Sequence, residues 1–106
     1  MSVMEHAFAA IADPTRRALL DRLRHDGPLT LTTLAQGLPM TRQAATKHLD
    51  LLARAGLIRV RHSGRTRLHE LEPAPLEEID RWLAPYARAW DARLDRLRRH
   101  VEEEMP

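Results

Sequence analysis

The sequence predicts a small, mostly α-helical domain carrying one antiparallel β-hairpin. Three observations predict it. Apolar residues recur at helical spacing in five stretches, one stretch alternates around a glycine turn, and proline, glycine and capping residues punctuate the joints. A chain of 106 residues makes one such domain, over 1–106, and buries only about two-thirds of its unfolded surface. Domains of this size often leave an apolar stripe for a partner.

The first helix is expected over residues 3–12, with Phe8, Ile11 and Ala12 as its apolar patch. Asp13-Pro14 restarts the chain, since Asp caps a helix well and Pro suits a first helical position that needs no N–H. Ala18, Leu19, Leu20 and Leu23 form the apolar face of the second helix, which ends at Asp26-Gly27-Pro28. Thr30-Leu31-Thr32-Thr33 opens a brief third helix with Leu34 and Ala35, stopped by Gly37-Leu38-Pro39. Thr41 caps a fourth, in which Ala45, Leu49 and Leu52 recur at three- and four-residue spacing, and Gly56 closes it as a C-terminal glycine.

Leu57–His62 and Thr66–Leu71 then read as two strands around Ser63-Gly64-Arg65, because Ile58 and Val60 alternate with Arg59 and Arg61. Glu72-Pro73-Ala74-Pro75 reads as a stiff hinge. Beyond it, Leu76, Ile79, Leu83, Tyr86, Trp90, Leu94, Leu97 and Val101 follow at 3,4,3,4,4,3,4 spacing. Pro85 is expected to break or kink this region near Ala84 and to start a new helix.

Charge is distributed unevenly over these elements. Residues 41–67 hold seven Lys and Arg against one Asp, a net of +6, whereas the rest holds ten against fourteen, a net of −4. The overall +2 therefore conceals one basic lobe. No apolar run reaches 18 residues, the N-terminus lacks the basic start and apolar core of a secretory signal, and a cytoplasmic protein is expected. The absence of cysteine removes disulfides, thiolate metal sites and thiol nucleophiles. An enzyme is not expected. There is no glycine-rich phosphate loop, Ser2 and Ser63 are the only serines, and Ser63 beside His62 on a hairpin does not build a nucleophile–base relay.

The order helix–helix–turn–helix–hairpin is that of a winged helix-turn-helix. Its fourth helix can enter the major groove of double-stranded DNA, braced by the third through Gly37-Leu38-Pro39-Met40. With Ala45, Leu49 and Leu52 inward, Arg42, Gln43, Thr46, Lys47 and Asp50 turn outward. Gln43 suits an adenine, Arg42 a guanine or phosphate, and Lys47 a phosphate. Thr41 and Thr46 add hydroxyl groups, and His48 packs partly on the core or touches phosphate. Arg61, His62, Arg65 and Arg67 suit a hairpin that reaches the neighbouring backbone or minor groove. His62 would add charge, and so affinity, at low pH. His69 is expected to be a satisfied, half-buried ring, and His6, His25 and His100 surface residues.

Asp13-Pro-Thr-Arg-Arg-Ala-Leu-Leu-Asp-Arg-Leu23, Thr46-Lys-His-Leu-Asp-Leu-Leu-Ala-Arg-Ala-Gly-Leu57 and Gly64-Arg65 together resemble the ArsR-type winged-helix transcriptional regulators, over about residues 5–100. The resemblance implies a homodimer, joined through its terminal helices, that represses a promoter and releases DNA on a signal. The organisation that follows is a DNA-binding core over about 13–72, with dimerisation helices at 1–12 and 75–104. Phe8, Ile79, Trp82, Leu83, Tyr86, Trp90, Leu94, Leu97 and Val101 are the interface candidates, a role the C-terminal stripe fits independently.

The chain departs from the metal-sensing members of that family. Where the metalloid type carries Cys-x-Cys, it has Leu34-Ala-Gln-Gly-Leu38. Of the zinc type's Asp-x-His and His-x-x-Glu halves, only His100 and Glu103 are present, and the first half falls on Ala87 and Ala89. Two ligands are too few for a tight tetrahedral zinc site, so no metal and no cofactor is expected, and the inducer is not readable. Two other readings compete: a winged-helix module for protein–protein contacts, and a repressor gated by a small molecule near Trp82, Tyr86 and Trp90. The first predicts an acidic or apolar face, whereas Arg42, Gln43, Lys47 and Arg54 line it with only Asp50 opposing.

Overall fold

Local capping chemistry sets most of the element boundaries. In a computed structural model, residues 2–104 are described; Met1, Met105 and Pro106 of the expected 1–106 domain lie outside them. Helix α1 spans Val3–Ile11, opened by a capping box in which Ser2 accepts from the Glu5 N–H and the Glu5 carboxylate accepts from the Ser2 N–H. Helix α2, Pro14–Asp26, starts on the Asp13 carboxylate, which accepts from the Arg16 N–H at 3.0 Å. Thr30 caps α3, Leu31–Gln36, and Thr41 caps α4, Arg42–Arg54, each through its hydroxyl.

The end of α4 shows why Gly56 is needed. Its φ of 75° lies in the left-handed region, where a glycine carries no Cβ penalty. That turn lets the Gly56 N–H reach the Ala53 carbonyl and the Leu57 N–H reach the Leu52 carbonyl, both at 3.0 Å. The pair of bonds satisfies carbonyls that a helix end otherwise leaves open. Leu52 and Leu57 are both fully buried beside this joint.

Strands β1, Ile58–Ser63, and β2, Thr66–Leu71, pair antiparallel from Ile58↔Leu71 to Ser63↔Thr66. The connecting loop is therefore the two residues Gly64-Arg65, one shorter than the sequence suggests. Gly64 has φ 62° and, among the described residues, no non-glycine residue has positive φ, as in a hairpin turn with glycine at its first central position. Leu29 adds a bridge outside the hairpin, exchanging both backbone bonds with His69 at 2.8 and 3.0 Å. Leu19, Leu34, Leu52 and Leu57 form the fully buried centre, so α2, α3, α4 and the start of the hairpin share one core.

Helix α5 runs unbroken from Ala74 to Glu104, which corrects two expectations. The hinge is shorter than predicted, because Ala74 and Pro75 already belong to the first helical turn, where a proline has no bond to lose. The helix also continues through Pro85. Pro85 costs one N–H bond, to the Arg81 carbonyl, but Ala84, Ala87, Arg88 and Ala89 around it are strong helix formers. Among the described residues, one compact unit reaches Leu76 and a second begins at Glu77.

Candidate nucleic-acid interface

The amphipathic pattern of α4 decides which of its side chains reach solvent. Ala45, Leu49 and Leu52 are buried, and Thr41, Arg42, Gln43, Thr46, Lys47 and Asp50 are exposed. The sequence-predicted helix register is thus the one observed. Two hydroxyls are partly engaged already. Thr41 Oγ1 accepts from the Ala44 N–H at 3.0 Å, and Thr46 Oγ1 donates to the Arg42 carbonyl at 2.9 Å. Thr46 is therefore placed as an acceptor or a small contact surface.

Among the described residues Arg42, Lys47, His62, Arg65 and Arg67 have no ion-pair partner. Arg67 also lines a small cavity of about 80 Å³ with Thr46 and Asp50 of α4, so the hairpin's return strand adjoins the exposed side of that helix. Cationic donors left unpaired on adjoining elements are suited to phosphate oxygens.

One predicted contact, Arg61, is already paired within the chain. Arg61 Nε lies 3.1 Å from Glu70 Oε2 as an ion pair, although not in hydrogen-bond geometry. The register explains it: Arg59 stands opposite Glu70, and Arg61 is the diagonal neighbour on the same face. Arg59 bonds Glu70 Oε1 at 3.1 Å and lies 3.5 Å from Glu72, and Glu70 raises its pKa first by that bond and then by its charge. This outer face of the hairpin is neutralised within the chain. His48 takes the first of its two expected places, packed partly on the core. It is half-buried, with Nδ1 3.9 Å from Asp13 Oδ2 at the cap of α2, because it borders the inward-facing Leu49. The Arg16 N–H holds the Asp13 carboxyl below its ordinary range; burial works against it, and the Arg16 and His48 charges and the Thr15 N–H add smaller lowering effects.

His69 is buried more completely than predicted, at 6 % exposure, and its Nδ1 has no hydrogen-bond partner among the described residues. Burial pushes its pKa down; the Leu29 backbone and the Asp50 charge act the other way, and the Arg67 charge reinforces the lowering. The ring stands in β2 directly opposite Val60.

A second cluster has no counterpart in the sequence-based expectations. Arg16 Nε and Nη2 donate to the Ala10 and Ala9 carbonyls at 2.6 and 3.1 Å, and Arg17 Nη1 donates to those of Ile11 and Ala12 at 2.8 and 3.1 Å. The Asp13-Pro-Thr-Arg-Arg17 segment thus caps two helices at once: the Asp opens α2 and the arginines close α1. Arg54, expected on the DNA-facing side, instead lines a cavity with α1 residues.

On α5, Trp82, Leu83, Tyr86, Trp90, Leu94, Leu97 and Val101 are 44–62 % exposed. The Trp82 and Tyr86 rings pack at 5.3 Å, tilted by 50°. Ile79 differs, since it is only 6 % exposed in the single chain and has little surface left for a partner. Phe8 on α1 is 37 % exposed. His100 Nε2 lies 3.0 Å from Glu104 rather than Glu103, and no three His, Asp or Glu side chains converge among the described residues.

A family model described as a helix-turn-helix domain matches residues 11–61. The chain is 38 % identical to an HTH-type transcriptional regulator of Mycobacterium tuberculosis, over 86 % of this chain and 92 % of that protein. It is 28 % identical to the transcriptional repressor SdpR of Bacillus subtilis, over 83 % and 97 %. The solved structure of an ArsR-like transcriptional regulator from Rhodococcus is 33 % identical, covers 97 % of this chain and 95 % of its own, and superposes with a TM-score of 0.71. The fold, the basic recognition helix and these relatives agree: the chain belongs to the ArsR-type family of winged helix-turn-helix, DNA-binding transcriptional regulators.

Proposed function

We propose that this regulator is a homodimeric, metal-independent repressor that docks α4 in the major groove and the hairpin on the flanking backbone of an inverted-repeat operator. The observation that carries the reading is the set of unpaired donors on adjoining elements: Arg42 and Lys47 on α4, His62, Arg65 and Arg67 on the hairpin. Gln43 reads an adenine edge and the cations hold phosphates, the division of labour that separates specificity from affinity. Residues 13–72 form the DNA-binding core; residues 1–12 and 75–104 supply the dimer contacts, through the exposed stripe from Trp82 to Val101 and with Phe8. A two-fold dimer presents two recognition helices, hence two half-sites about one helical turn apart. Repression is inferred from the SdpR relative, and its place of action is the cytoplasm, where the operator is.

Selection of genomic fragments with purified protein, with and without chelator, tests the reading. Enrichment of an inverted repeat that is indifferent to chelator is expected. Chelator-sensitive enrichment would overturn metal independence. Recovery of no sequence would favour a protein-interaction role for the same fold.

A further inference from the structure

We propose that the cavity between α1, the start of α2 and the last turn of α4 binds a small amphipathic monocarboxylate. The cavity measures about 420 Å³, within the range that holds small organic ligands. Its apolar wall is Ala9, Ala10, Leu51 and Ala55, and its polar groups are His6, Arg16 and Arg54. Leu51 is 44 % exposed, an apolar side chain on α4 that the core does not use. Apolar walls with a few convergent polar groups are the usual make-up of a ligand site.

Charge selects the class of ligand. No carboxylate lines the cavity, whereas two guanidinium groups do. The C-terminal ends of α1 and α4 oppose them, but each helix end counts for only about −0.5 charge. The Asp13 carboxylate, which interacts with the Arg16 charge, offsets that arginine further, so the positive charge left to a ligand is chiefly that of Arg54. Arg16 is already fixed by the Ala9 and Ala10 carbonyls. Arg54 has no ion-pair or hydrogen-bond partner among the described residues, so its guanidinium is the group available to a carboxylate, with His6 beside the same cavity. The apolar body then covers Leu51 and the three alanines.

The site touches the last turn of the helix whose first turns carry Arg42, Gln43 and Lys47. Ligand and operator would then be linked through one rigid element, each altering the other's affinity by the same factor. That consequence rests on the DNA-docking reading above; the binding itself does not.

The test is a methyl and amide NMR titration of the full chain with octanoate, and in parallel with 1-octanol. Saturable shifts centred on Ala9, Ala10, Leu51 and Ala55 are expected with octanoate. Arg54→Gln should weaken octanoate by about tenfold or more, the scale of a lost charge-assisted hydrogen bond, and leave the weaker response to octanol alone. Ala9→Leu, at an exposed helical position, should fill the space and abolish both responses while the remaining spectrum stays folded. Equal binding of octanol and octanoate would overturn the carboxylate assignment. No saturable shift, or contacts from a second copy to the same methyl groups, would overturn the site. Anisotropy of labelled operator with and without octanoate reads the linkage separately. Binding that leaves operator affinity unchanged would keep the site and remove its regulatory role.

Discussion

Helix α4 buries its apolar side within its own subunit, Leu51 apart, and gives solvent its polar side, whereas α5 beyond Ile79 leaves its apolar side in solvent. In α4, Ala45, Leu49 and Leu52 are 0–3 % exposed after only 13 residues. In α5, 31 residues long, seven large apolar side chains from Trp82 to Val101 stand 44–62 % exposed. Exposed single apolar residues are ordinary, but a continuous stripe with tryptophan and tyrosine at its head marks an interaction surface. A helix whose packing is complete inside one chain can devote its other face to a polar ligand, and one whose packing is incomplete needs a second protein surface. The division would let one small chain offer a polar face to DNA and, as proposed above, an apolar face to a second copy.

The comparison breaks most visibly at Leu94. Leu94→Asp places a charge in the middle of the exposed stripe, so sedimentation should show a monomer while circular dichroism retains the helical core. Without the second half-site, operator affinity should fall by about 10²–10⁴-fold, the usual gain from joining two binding modules. A monomer that still held its full operator tightly would contradict the assignment of the stripe.

On α4 the matching change is Gln43→Ala. It leaves the core intact, because Gln43 is exposed, and should cost about 1–3 kcal/mol at one base position while leaving thermal stability unchanged. Competition binding against operators substituted at each position reads this out. An unchanged preference would mean that the docking register of α4 is wrong.

Smaller effects separate the two faces of the hairpin. Lys47→Ala and Arg67→Gln should each weaken all DNA sequences alike and reduce the slope of log affinity against log salt by about 0.9 for each phosphate no longer neutralised. Arg61→Gln should change that slope less, since Glu70 already lies 3.1 Å from Arg61. Equal slopes for the Arg61 and Arg67 variants would show that the Glu70 pair opens on DNA.

These residues also show what the sequence could and could not reveal. Asp13, Thr30, Thr41 and Gly56 act within four residues of themselves, through caps and a left-handed turn, and their positions are legible as a result. The outward set on α4 follows from helical period alone. What escapes depends on partners distant in sequence or on the competition between them. The Leu29–His69 bridge joins residues forty apart, the Arg61–Glu70 pair follows from strand register, and Arg16 and Arg17 look back to the preceding helix. Arg54 stands in a stretch whose pattern is DNA-facing but lines the cavity beside α1, a consequence of where its helix ends. Pro85 weighs less than its sequence signal suggests, since a single missing N–H does not outweigh two helical flanks.

The most modest expected effect belongs to His69, and it tests whether the hairpin is seated on α4 as firmly as α4 is seated on the core. Burial lowers its pKa below the ordinary 6.5, so the folded chain resists a proton that the unfolded chain accepts. Between those two pKa values the unfolded state binds more protons, and stability falls as pH falls. The contribution is complete above the unfolded value near 6.5 and is lost as pH drops through the folded one. Asp50 pulls against the shift and Arg67 with it, so the slope reports the balance at the junction of hairpin and helix. Thermal unfolding at pH 7.5 and 5.5 should show a larger drop in Tm for the native chain than for His69→Gln, which cannot titrate. His62→Gln should leave that difference intact, because His62 is exposed at the hairpin's tip. If His69→Gln left the acid loss of stability unchanged, the buried ring would not be its source; the carboxylates of Asp13 and Asp26, both held below their ordinary range, lose their contribution only at lower pH.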